Sequence, residues 1–182
     1  MNSTISSRYR RLSQQLSAAV DDLPTEAWNA PTPCEGWTVR DVLQHIVDTQ
    51  RDFLGRHVDL EPATGEVRRD WENVRTLAQS VLADERGATS FEGFFGPTTI
   101  AEVVDRFYGM DLLVHRWDIA RGAGTTAHQR LDDTDAAHYL EAARSHGDTL
   151  RMDGICGPEV PAPVDATTGE RLLAFLGRDP RS

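Results

Sequence analysis

Apolar residues in this chain recur every three or four positions over long stretches, and no run alternates strictly enough to demand a strand. Such a chain must bury one stripe of each helix against another helix, which points to an all-α fold. The first stripe joins Ile5, Tyr9, Leu12, Leu16 and Ala19 and predicts a helix over 4–22, with Pro24 beyond its end. Two prolines and a glycine make 29–36 a loop. Thr38 and Asp41 then stand in the capping-box positions of a second helix over 39–55. Val67, Trp71, Val74, Leu77, Ala78 and Val81 predict a third helix over 66–83, followed by a loop, GATSFEGFFGP. Thr99 and Glu102 form a second capping box and open a fourth helix that ends near Arg121, where GAG supplies glycine. A fifth helix fits 132–146, residues 154–163 read as loop, and a short last helix covers 168–176. Four long helices with modest connections predict an antiparallel four-helix bundle with additional short helices.

The 182 residues suit one domain spanning 1–182. With 29 acidic residues against 19 basic ones, every one of them arginine, the net charge is -10. Phosphate backbones and anionic bilayers repel such a surface, so neither nucleic acid nor membrane is an expected partner. No apolar run approaches the roughly 20 residues of a membrane span, and the start, MNSTISSRYRRLSQQ, has no signal-peptide core. A cytoplasmic chain follows, in which Cys34 and Cys156 are free thiols.

The most informative residues are polar ones placed where core is expected. On a helical wheel Ile100, Val104, Phe107 and Val114 share one face of the fourth helix, and Asp111 and His115 fall in the middle of it, roughly 40° apart. A carboxylate and an imidazole buried there cost several kcal/mol unless they are paired or ligate a metal. Side chains at i and i+4 can touch one object. A third ligand can come from His45 on the second helix, at the edge of the stripe Val42, Leu43 and Ile46, a position that suits the mouth of a cavity. The same pattern also fits a buried ion pair beside a hydrogen-bonded boundary histidine.

The segment WNAPTPCEGWTVRDVLQHIV, from Trp28 to Val47, resembles the start of the second helix in the DinB-like metal-binding superfamily. Within it, the match is to the actinobacterial group related to the N-terminal domain of mycothiol-dependent maleylpyruvate isomerase. DRFYGMDLLVHRWDIARGAG in the fourth helix looks like the second signature of that group, and GPEVPAPVDATTGERLLAFLGRDP looks like its C-terminal ending. The resemblance implies a DinB-like four-helix bundle. It also implies one divalent metal, zinc or nickel, held by His45, Asp111 and His115. The isomerase has glutamate where this chain has Asp111, so the ion must sit closer to the helix here. It also carries a second, C-terminal domain that this chain is expected to lack. The resemblance therefore extends to fold and metal and stops short of the substrate.

Two imidazoles and a carboxylate leave a metal open to water or substrate, the pattern of catalytic rather than structural zinc. The leading expectation is a metal-dependent transferase or isomerase in which a low-molecular-weight thiol, mycothiol in the resembled group, attacks a small electrophile. A metal-dependent amide or ester hydrolase, or a non-catalytic metal or small-molecule binder, uses the same ligands. Asp118, three residues beyond His115, is a candidate for orienting a ligand imidazole, or else it pairs with an arginine such as Arg40 or Arg121. Trp37 and Trp117 read as packing or cavity wall. Cys34 precedes a helix N-terminus that can stabilise a thiolate. His57, His128, His138 and His146 carry no assigned role, and Glu35, Arg40 and Arg116 read as surface charge. Association into a homodimer is common in this fold.

Overall fold

The apolar stripes become bundle walls in the computed structural model, which describes residues 2–152 and 156–181. Helices α1 (Asn2–Asp21), α2 (Val39–Gly55), α3 (Val67–Ala83) and α5 (Met110–Gly122) form an all-α, DinB-like antiparallel four-helix bundle. In it α1 packs chiefly on α3 and α5, and α2 packs on the same two, so successive α1 and α2 sit at opposite corners. The connection through 22–38, long enough for a short helical turn at Thr25–Asn29, makes that diagonal crossing. Two smaller helices, α6 (Asp133–His146) and α7 (Thr168–Phe175), pack on each other, with α6 against α5. No helix among the described residues is long and apolar enough to cross a membrane.

Both predicted capping boxes form, Thr38 with Asp41 and Thr99 with Glu102, and a third pairs Thr167 with Glu170 at the start of α7. Each satisfies backbone donors that a helix start leaves without a partner, and so fixes where the element begins. Of the loop predicted over 154–163, residues 154 and 155 lie outside the described residues, and 156–163 carry no regular structure.

Two departures from the sequence reading shape the site. The stretch read as loop after α3 contains a hairpin, β1 (Ser90–Gly93) and β2 (Gly96–Thr99), with Ser90 opposite Thr99 and Phe94–Phe95 at its tip. Four-residue strands are too short to show alternation, and Gly96, at φ +99°, supplies the turn geometry a side chain resists. The fourth predicted helix is continuous but not uniform: α4 (Ile100–Val103) runs through a π-helical stretch, Val104–Gly109, into α5. The wider π turn breaks the regular 100° step of the wheel. Ile100 and Val104 therefore enter the core, whereas Phe107, Asp111, Val114 and His115 face a cavity.

α5 is buried on every side from Leu112 to Ala120, rather than along one stripe, because α1, α2 and α6 surround it. Arg116, read as surface charge, is consequently buried. Two of its guanidinium nitrogens, Nη1 and Nη2, donate to the carbonyls of His128 and Arg130 in the loop that follows α5, and the buried Nε has no partner among the described residues.

The approach of α6 to the bundle depends on Gly109, where an added Cβ would lie 2.1 Å from Tyr139 Oη and 3.0 Å from its Cζ. Gly109→Ala is expected to cost about 1–3 kcal/mol through overpacking, read from denaturant unfolding. Tyr139→Phe in the same chain removes the nearest clashing atom and should return part of that loss. Additive losses would show that the two residues do not meet.

Candidate metal centre

Asp111 and His115 project from one face of α5, and His45 projects toward them from α2. Ligand-type atoms of the three side chains all lie within 4.8 Å of one another. The two imidazoles stand almost perpendicular, at 80°, with ring centroids 5.3 Å apart, and the Trp37 ring backs His45 at 4.9 Å. Among the described residues neither the Asp111 carboxylate nor the His45 ring has a hydrogen-bond partner. The three residues singled out by the sequence thus meet.

Behind them lies a second layer around Asp118, which is fully buried. Its Oδ2 is 2.9 Å from His115 Nδ1, which leaves Nε2 as the ring nitrogen free to ligate. The arginine that pairs with Asp118 is neither Arg40 nor Arg121 but Arg178, whose Nε and Nη2 reach the carboxylate at 3.0 and 2.8 Å. Cys34 Sγ is 3.3 Å from the same Oδ2 and 3.5 Å from Arg178 Nη2. Asp118 therefore holds an imidazole and an arginine at once.

Local backbone rules place these partners. At the end of α7, the amide of Gly177 donates to Ala174 and that of Arg178 to Leu173, the two bonds of a Schellman motif, with Gly177 at φ +84°. That left-handed residue turns the tail and drops Arg178 onto Asp118. Cys34 sits in a tight loop closed by Thr32 N–H to Trp37 O at 3.0 Å, with Gly36 at φ +78°. The loop presses on the end of α5 at Gly122, where a Cβ would meet Pro31 O at 2.8 Å. Trp117 is buried in the core with Arg121 over its ring, and does not line the cavity.

Charge follows the geometry. Burial raises the Asp111 carboxyl, against the pull of His115 and His45. Burial and the neighbouring His115 lower His45. For His115 burial acts downward but is outweighed by the hydrogen bonds to Asp118 and Cys34 and by both aspartates, which lift it to about 10. Asp118 falls to about 2, because its bonds to His115 and Arg178 overcome the cost of burial.

The three residues close the inner end of a cavity of about 500 Å³. Its wall also includes Arg178, Cys156 and His146, none of which the sequence reading placed at the site. His146, assigned no role on its helix end, packs against Phe95 and Phe107 at ring distances of 4.9 and 5.5 Å. Gly177 just past a predicted helix was the one available signal for Arg178. No sequence signal distinguishes His146 from the other helix-end histidines.

Two uncharacterized proteins from two strains of Mycobacterium tuberculosis are each 29% identical to this chain over 182 residues, covering 95% of it and 97% of their own length. No solved structure gives a significant match. Residues 9–82 match the family described as the mycothiol maleylpyruvate isomerase N-terminal domain, as the motif from Trp28 to Val47 predicts, and the mycobacterial relatives accord with an actinobacterial group.

Proposed function

We propose that this chain holds one divalent cation, zinc or nickel, between His45, Asp111 and His115, and uses it to activate a low-molecular-weight thiol for attack on a small electrophile. The observation that carries this reading is the Asp111 carboxylate, which ends a cavity with two imidazoles beside it and no hydrogen-bond donor of the protein. A carboxylate so placed is a ready ligand for a cation, and two imidazoles with one carboxylate are a donor set that zinc and nickel accept. Such an ion supplies Lewis acidity that makes a thiol or water available as its anion near neutral pH.

The chain's own residues do the rest. Asp118 fixes the ring of His115 through Nδ1, and Arg178 fixes Asp118 from the far side, so the ligand face of the imidazole cannot swing away. Trp37 limits the swing of His45 in the same way. Three side chains leave room for an exchangeable partner, which suits catalysis better than a closed structural site. The family matched over residues 9–82 is named for mycothiol, and this supports that thiol as the cosubstrate. On this reading the chain works in the cytoplasm, where such thiols are kept reduced.

Elemental analysis of the purified protein should find about one metal ion per chain, and His115→Ala should lose most of it, since two remaining ligands bind weakly. Equal metal in both proteins would exclude His115 as a ligand. Asp118→Asn should weaken metal affinity by roughly 10–100-fold while keeping all three ligands in place.

Because His115 is raised to about 10, a cation must displace its proton, so affinity should rise with pH by roughly tenfold per unit below that value. Zinc titrations at pH 6, 7 and 8 measure the slope, and a flat profile would contradict the assignment. Mycothiol added to cobalt-loaded protein should produce a thiolate-to-cobalt absorption band. An unchanged spectrum at saturating thiol would remove the thiol while leaving the metal site intact.

A further inference from the structure

Four large apolar side chains stand well exposed among the described residues, and three of them, Phe94 at 83%, Phe95 at 50% and Met152 at 54%, line one cavity. It is the cavity that ends at Asp111. Apolar side chains gathered in water around an opening mark a surface that something apolar covers. Deeper in, Phe107, Val114 and Leu150 continue the same lining. Near the mouth Phe95 lies nearly parallel to Phe107, at 14° and 6.3 Å between ring centroids.

The fixed charges of the cavity all lie at its inner end. Arg178, the arginine in its wall, gives its guanidinium to the Asp118 carboxylate and the Leu176 carbonyl. His146 is held down by burial and by Arg106, and so is neutral at pH 7. Arg106 acts on His146 but does not line this cavity, so an anionic group lodged in the outer half would lose its water and find no cation in the wall to replace it.

We infer that the electrophile taken by this site is an uncharged molecule with an aromatic or bulky aliphatic body, seated between the hairpin tip and Phe107 with its reactive end toward His45, Asp111 and His115. The reactive end rests on the function proposed above. The seat of the apolar body does not, and can be measured with no metal present. It sets this cavity apart from one built for a small dicarboxylate, which would need unpaired cations along its wall.

N-Phenyl-1-naphthylamine and 1-anilinonaphthalene-8-sulfonate share one ring system and differ by a sulfonate, so the pair reads out the preference directly. In chelator-treated and zinc-loaded protein alike, the neutral probe should fluoresce on binding, with affinity roughly tenfold above that of the sulfonate. Phe95→Ala, at the exposed hairpin tip, should weaken the neutral probe roughly fivefold, and Phe107→Ala should do the same. Equal or tighter binding of the sulfonate overturns the inference. So does neutral-probe binding that neither substitution changes, because the probe then sits elsewhere. Probe binding in a chain that retains no metal would sink the proposed chemistry and leave this inference standing; metal retained with no probe bound would do the reverse.

Discussion

The buried carboxylate of Asp118 holds together parts of the chain that are far apart in sequence. A charge with no access to solvent is tolerated only when paired and hydrogen-bonded, and its partners come from three directions: His115 one turn away, Arg178 from the tail beyond α7, and Cys34 from the loop before α2. Removing one partner would strand a buried charge, so the network favours an all-or-none arrangement. The orientation of His115 toward the cavity follows from that network, and with it the geometry of everything in front.

The cost of placing such groups inside is visible along α5. A helix buried on all sides from Leu112 to Ala120 would ordinarily be apolar throughout, yet this one carries His115, Arg116 and Asp118. Arg116 gives Nη1 and Nη2 to loop carbonyls at His128 and Arg130, and His115 and Asp118 hydrogen-bond each other. Asp111, at the edge of the same helix, is the exception, and it opens on the cavity. One turn earlier the π-helical stretch widens the backbone, and such irregularities are often retained at sites of function. Here it separates the core-facing Ile100 and Val104 from the cavity-facing residues that follow.

How much of this was legible in the sequence depends on how local the cause is. Thr38, Thr99 and the apolar stripes act within one helical turn, so element types and most boundaries could be read to within about two residues. Asp111 and His115 are neighbours on one helix, and their wrong polarity for a core face gave them away. His45 needed both its own helix and the motif before it. Arg178 comes from 60 residues beyond its partner, and only the tertiary fold reveals that contact. The hairpin was hidden because its strands are shorter than a pattern needs, and Arg116 because neighbours on every side overrode the single-stripe reading.

These causes divide the cavity into two ends with different physics. At the inner end His115 is fixed by Asp118 and Arg178 behind it, which on the proposed function keeps that ligand from reorganising when a cation arrives. At the outer end Phe94 and Phe95 are carried on a two-stranded hairpin, a unit with little stability of its own. Discrimination among substrates would then come from the outer end, where apolar side chains can shift to meet a ligand. Selection for the cation would come from the inner end, where they cannot. Changing substrate preference by substitution at the hairpin tip need not disturb the inner end, since Asp118, Arg178 and Cys34 hydrogen-bond one another and not the hairpin. On the proposed function, the fold would thereby separate what the site holds from what it accepts.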